Sequence, residues 1–421
     1  MGRPAPDTTR ARPNVATGRV DFAPVYFTPS LFHVGAIPAR RKPPDRHFHP
    51  QKPQGIDPPM TTAAHFSPSY AEARRRFLAA AAARGLAIES HAHPGGRGAE
   101  GEDLATDVAL LGAADWPALF VVSSGTHGVE GFCGSGCQLA LLHDDVLLAG
   151  MARARVGLLL VHAVNPYGFS HLHRTNEDNI DLNRNFRDFA EPYPLNPGYE
   201  QVHALWVPDA WPPAEADEAR LAALVAGLDD DTRRRLSGGQ ATHPDGLFYA
   251  GERPAWSNGV VRRALGRHGA GRRSIAWVDV HTGLGPRGHG EKIFGSHPPE
   301  RTARARRWWG RDLILASDPS SVSPRTTGHI TAIAPVECPD AATTTMTLEY
   351  GTLPHPQVRG ALRADAWLRA HPDAGAARTA AIKRQIRDAF FVDADDWKGL
   401  VLGQFRAAAL QSVNGLAEDP V

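Results

Sequence analysis

The stretch SSGTHGVEGFCGSG, Ser123 to Gly136, packs five glycines around His127 and Glu130, directly after the apolar run Ala118 to Val122. Glycine weakens strand and helix interiors because it loses the most conformational freedom on ordering. The stretch therefore reads as a strand that stops at His127 and turns sharply, aiming imidazole and carboxylate at one point. The glycines let the backbone turn and a bulky ligand approach. Ligands of open α/β sheets sit at the carboxyl ends of strands, so this reading decides where the rest of the fold must lie.

Outward from it, apolar and helical segments alternate. LATDVALLG and ALFVVSSG read as strands, as do VGLLLVHAVNP (ended by Pro166), SIAWVDVHTG and TTTMTLEYGT. Ser67 is expected to cap a helix that ends at Gly85, and Ser135–Leu148 and EADEARLAALVAGL read as helices. Ile382, Ile386 and Phe390 share a helical face, and Val401 and Phe405 repeat the spacing. The expected fold is α/β: a mixed, largely parallel twisted sheet flanked by helices on both faces.

Residues 1–59 differ. Twelve of the 35 prolines fall in residues 1–60, with nine Lys/Arg against four Asp/Glu and no period. They read as a disordered Pro-rich tail, with Met60 as the start of a single folded domain spanning 60–421. The net charge of +1 over 421 residues argues against a nucleic-acid or membrane partner. No apolar stretch reaches the ~20 residues that span a bilayer. Cys133, Cys137 and Cys338 are too few and odd in number for a disulfide framework. A cytoplasmic location is the expectation, and oligomeric state is not legible.

Four polar clusters stand at strand ends or between core segments. His127-Gly-Val-Glu130 offers two metal ligands, although a capping glutamate and a satisfied loop histidine would give the same spacing. VDVHTGLG supplies His281, with Asp279 read as lying on the opposite strand face, reaching His281 only through a bend. HRTNEDNIDLNRNF brings Arg174, Asn183 and Arg184, whose donors suit an anion but also pair readily with Glu177, Asp178 and Asp181. In TLEYGT, Glu349 lies within an apolar strand, where a carboxylate needs a partner or a raised pKa.

Taken in order, HGVE, NP…HR…DLNRNF, DVHTG and LEYGT resemble the zinc carboxypeptidase and aspartoacylase superfamily, and most closely its bacterial domain-of-unknown-function family 2817. The resemblance runs from about Met60 nearly to the C-terminus. It implies one Zn2+ held by His127, Glu130 and His281, with Glu349 as general base. It implies Arg174 as the oxyanion-stabilising arginine, and Asn183 and Arg184 on a substrate carboxylate. The peptidases' proton-donating tyrosine has no matching motif; Tyr249 and Tyr350 are the two tyrosines considered for that role.

The function so implied is zinc-dependent cleavage of an amide bond next to a free carboxylate, on a small peptide or N-acyl amino acid. Two alternatives stay open: an N-acyl amino-acid deacylase of aspartoacylase type, favoured by the nine residues from Arg174 to Asn183, and a zinc- or carboxylate-binding protein without turnover. About 70 residues of helical character after Glu349 favour the peptidase-like arrangement. Arg253, Arg287 and His289 are possible substrate contacts. Cys133 and Cys137 read as small packed residues.

Overall fold

Runs of aliphatic and β-branched residues form the middle of one sheet. The computed structural model describes residues 61–295 and 298–418; the expectations for residues 1–59 and Met60 lie outside them. The strands are β1 (Ala87–Arg97), β2 (Asp103–Leu111), β3 (Ala118–Ser124), β4 (Val156–His162), β5 (Ser274–Arg287), β6 (Gly290–Phe294), β7 (Ile314–Leu315) and β8 (Ala342–Gly351). Their order across the sheet is β1-β2-β4-β3-β5-β8-β6-β7. The central β4, β3, β5 and β8 are parallel, and antiparallel β2 and β6 flank them. The fold class is the expected one, and the carboxyl ends of β3, β5 and β8 lie along one rim.

Side chains alternate faces along a strand. In β5, Ala276, Val278 and Val280 join one core cluster while Ile275 and Trp277 join the other. In β3, Phe120 and Val122 oppose Leu119 and Val121 in the same way. Helices cover both faces. They are α1 (Tyr70–Ala83), α2 (Gly131–Leu142), α3 (Asp145–Ala154), α4 (Pro166–His171), α5 (Pro197–Trp206), α6 (Glu215–Gly227) and α7 (Asp230–Arg235). They are followed by α8 (Trp256–Gly269), α9 (Pro299–Trp309), α10 (Ala334–Glu337), α11 (His355–Ala370), α12 (Ala376–Phe390) and α13 (Asp395–Glu418). α1, α2 and α13 pack on one face, α8 and α10 on the other. Each fully buried Leu, Val or Phe contributes about 1.5–3 kcal/mol, which is why the middles of β3, β4 and β5 are largely aliphatic and aromatic. Among the described residues no helix is long and apolar enough to cross a membrane.

Several local expectations change. The cap of α1 is Ser69, whose hydroxyl accepts from the Glu72 amide; Ser67 instead meets the Arg76 guanidinium. Helix α2 begins at Gly131, four residues before the expected Ser135, and stops at Leu142; Asp144 then caps α3 by accepting from the Leu147 amide. Pro166 does not end β4. The strand stops at His162, Ala163 turns through φ 57°, and Pro166 opens α4 under an Asn165 cap. The helices α11, α12 and α13 follow Glu349, as expected.

Candidate metal centre

Strand β3 ends at Ser124, three residues before His127, and Gly125 takes φ +65°, a conformation few side chains tolerate. A short 3-10 turn, Gly128–Glu130, then leads into α2. Gly128 answers the demand of a neighbour, not of a ligand. A Cβ there would sit 2.0 Å from the Gly168 carbonyl carbon of α4. The turn is also laced to the next segment, because Gly128 N–H donates to Arg174 O (3.1 Å) and Val129 N–H to His173 O (2.9 Å).

This turn brings His127 and Glu130 against His281 of β5. His127 Nδ1 lies 2.8 Å from Glu130 Oε1, His281 Nδ1 lies 2.8 Å from Glu130 Oε2, and the two Nδ1 atoms are 3.2 Å apart. All three residues are buried. The far ring nitrogens each meet a buried carboxylate: His127 Nε2 lies 3.0 Å from Asp181 Oδ1, and His281 Nε2 bonds Asp279. Asp279 therefore lies on the same strand face as His281, contrary to the expectation. Residues two apart share a face, so no bend is needed. Asp279 is fixed in turn by Ser123 and Thr126 hydroxyls.

Electrostatics at the cluster follow from burial opposed by charge. Burial alone would raise Glu130, but His127 and His281 hold its carboxyl well below the usual range. Burial would likewise raise Asp181; Arg174, Arg184 and His127 outweigh it and pull it well down. Burial would lower His281, yet Asp279 and Glu130 hold it well above an ordinary imidazole. Glu349 pairs in register with His281 across β5 and β8. Its Oε1 accepts from the Leu284 amide at 2.9 Å. Burial, and then the Glu130 charge, push its carboxyl up to about 7.

The donor set fits a divalent ion such as zinc. Ligands about 2.0–2.1 Å from a tetrahedral ion lie about 3.3 Å apart, close to the separation of the two Nδ1 atoms. Histidine ligands commonly give their other ring N–H to a carboxylate, as both do here. Around the cluster the carboxyls of Glu130, Asp181, Asp279 and Glu349 outnumber the guanidiniums of Arg174 and Arg184, which suits a cation.

A cavity of about 530 Å3 opens onto these groups, lined by His127, Glu130, His281 and Glu349 together with Arg174, Asn183 and Arg184. Arg174 Nε donates to Asp181 (3.1 Å) and its Nη1 to Glu130 (3.3 Å). Arg184 is buried; Nη1 and Nη2 donate to the carbonyls of Asn183 and Ser237 at 2.8 Å, while Nε–H has no partner. Asn183 Oδ1 accepts from the Ile330 amide (2.9 Å), leaving its NH2 as donor. The seven expected site residues thus line one cavity. Other expectations fail. Tyr350 points to the opposite face and donates to Val401 O, and Tyr249 is not in the lining. Arg253, Arg287 and His289 are also outside it, Arg287 being paired with Asp396. Sequence reasoning missed Asp181 as the orienting group for His127, and the apolar wall of Trp206, Leu247 and Phe248. Cys133, Cys137 and Cys338 are free and buried.

The family described as "Protein of unknown function (DUF2817)" matches residues 66–404. No curated protein matches the chain. Among solved structures the chain is similar to carboxypeptidase A from Helicoverpa armigera, at 14% identity and TM-score 0.40, over 78% of this chain and 75% of that one. It is similar to bovine thrombin-activatable fibrinolysis inhibitor in complex with tick carboxypeptidase inhibitor, at 14% identity and TM-score 0.40, over 76% and 96%. A metallo-carboxypeptidase from Burkholderia cenocepacia is similar at 14% identity and TM-score 0.38, over 76% and 70%.

Proposed function

The chain belongs to the DUF2817 family, and from its site we propose that it is a zinc-dependent hydrolase that cleaves an amide bond next to a free carboxylate. One observation carries this: the convergence of His127 Nδ1, Glu130 and His281 Nδ1 beside buried Glu349, in a cavity that also presents Arg184. Zinc held by His127, Glu130 and His281 would supply Lewis acidity and a water whose pKa falls to about 7.

The chain's own residues do the rest. Glu349, its pKa lifted to about 7 by burial and the Glu130 charge, takes a proton from the attacking water on its carboxylate and passes it to the leaving amine. Arg174, held in place by Asp181, faces the charge that builds on the carbonyl oxygen. Arg184 offers its guanidinium, and Asn183 its NH2, to the substrate carboxylate, which fixes register and selects acids over neutral amides. The apolar wall takes the other side of the scissile bond. A cavity of about 530 Å3 suits a small peptide or N-acyl amino acid.

A deacylase reading rests on the same site, supported by the short Arg174–Asn183 segment. A binding protein without turnover would have no use for a carboxylate buried at the cost of its charge. Dipeptides and N-acyl amino acids, screened with and without chelator, separate the three. Chelator-sensitive cleavage of one series names the substrate class, and zinc binding with no cleavage in either refutes hydrolysis.

A further inference from the structure

Away from the metal centre the cavity wall carries charge of one sign. Its only carboxylates are Glu130 and Glu349, both at the centre; beyond Arg174 and Arg184, the remaining charged groups are Arg233, Arg325 and Arg359. Two of these are already committed. Arg233 meets Asp230 at 2.8 Å and donates through Nε and Nη2 to the Val225 and Leu228 carbonyls, and Arg325 meets Asp231 at 2.8 Å. Arg359, on α11, makes no hydrogen bond or ion pair among the described residues. We propose that Arg359 sets specificity on the acyl side of the substrate: its guanidinium takes a second carboxylate, so the favoured substrate is acidic on both sides of the scissile amide. The proposal rests on the hydrolase reading above and names its substrate class.

The fold sets Arg359 at the apolar wall. One helical turn on, Arg363 donates through Nε and Nη2 to the carbonyls of Trp206 and Leu205 at 3.3 and 2.7 Å, which fastens α11 to the end of α5. Residues four apart share a helical face, so Arg359 stands beside that junction, with Val358 and Leu362 next to it in the lining. Trp206 belongs to the wall that takes the acyl side, whereas Arg184 is tied to the Ser237 carbonyl. The two guanidiniums therefore serve different parts of one ligand.

Charge argues the same way. Glu218, the carboxylate that acts on Arg359, is engaged by Arg363 Nη1 and Nη2 at 3.1 and 2.7 Å. Burial and then the Arg363 charge outweigh it and pull Arg359 below an ordinary guanidinium; a bound carboxylate offsets both. One guanidinium with its fork free matches one carboxylate. A phosphate dianion would call for a second free cation, and the lining offers none beside it among the described residues. His355, one turn earlier and also in the lining, adds a ring N–H donor.

The test uses the zinc-loaded full chain carrying Glu349→Gln, which keeps the cavity and removes the base. Its ligands are two peptides that differ by one charge, N-acetyl-Glu-Ala and N-acetyl-Gln-Ala. Calorimetry should show the glutamyl peptide binding about tenfold or more tightly than its partner. Adding Arg359→Met should remove that preference and leave the affinity for the glutaminyl peptide unchanged. Arg359 bonds no other group of the chain, so the variant leaves nothing unpaired. Equal affinity for the two peptides, or a preference that Arg359→Met leaves intact, overturns the proposal, as does no binding of either. Hydrolysis is scored separately on the chain with Glu349. Cleavage of neither peptide there refutes the hydrolase reading, while the binding preference still decides the role of Arg359.

Discussion

Replacing Gly128 with alanine puts the metal centre and the fold in direct competition. The added Cβ would lie 2.0 Å from the Gly168 carbonyl carbon and 2.3 Å from Phe169 N, both backbone atoms of α4. Carbon contacts settle at about 3.5–4.0 Å, so the turn and α4 must part by about 1.5 Å. Overpacking of this kind costs about 1–3 kcal/mol. The same movement stretches the Gly128–Arg174 and Val129–His173 hydrogen bonds, at about 1 kcal/mol each. The total is about 3–5 kcal/mol. With an unfolding entropy near 2.1 cal/mol/K per residue, that lowers Tm by about 4–6 °C. Displacing His127 and Glu130 also weakens zinc binding by about tenfold or more. The control is Gly403→Ala on α13, where a Cβ meets nothing within 4 Å; it should stabilise by about 0.5–1 kcal/mol. Calorimetry and zinc titration of both variants decide the matter. An unchanged Tm and zinc affinity in Gly128→Ala would refute the close-packing account of the glycine-rich turn.

Asp279→Asn keeps the shape beside His281 but removes the charge that orients it, and should weaken zinc binding about 10–100-fold in a competitive chelator assay with little change in circular dichroism. Arg184→Met should raise KM for carboxylate-bearing substrates far more than for their amides, about 100-fold for a lost charged anchor of ~3 kcal/mol; an equal effect on both series would remove it from carboxylate binding. His162 stacks on Phe77 and bonds Ser135, and burial lowers its pKa from 6.5 to about 4. Below pH 6.5 the unfolded chain takes up a proton that the folded chain refuses, so stability is full above 6.5 and falls between about 6.5 and 4. The loss approaches about 3 kcal/mol, and His162→Gln should flatten the pH dependence of Tm across that window.

The central strands were legible because they are buried on both faces and therefore read as short runs of apolar and β-branched residues. The rim residues stood out for the opposite reason: His127, His281 and Glu349 are polar groups placed where apolar ones would be expected. Edge strands carry no such contrast. β1 runs on through Pro94, Gly95 and Gly96, and β7 has only two residues, so neither has a pattern to find. Helix α2 begins before Ser135 although its glycines argue against helix, because Gly134 and Gly136 fit close against Ser124 and Phe66. Tertiary packing overrode propensity there. Asp279 stands two residues before His281, so the strand period alone sets both on one face. Asp181 had no such signal, since only the folded loop turns it toward His127 and away from solvent.

Zinc content and amide hydrolysis, measured on the same preparations of wild type and Glu349→Gln, test the central claim most directly. The substitution keeps the size of the side chain and removes the base. The account predicts unchanged zinc at the His127–Glu130–His281 centre with hydrolysis reduced by about 10²–10⁴-fold. Undiminished hydrolysis, or loss of zinc together with activity, would contradict it.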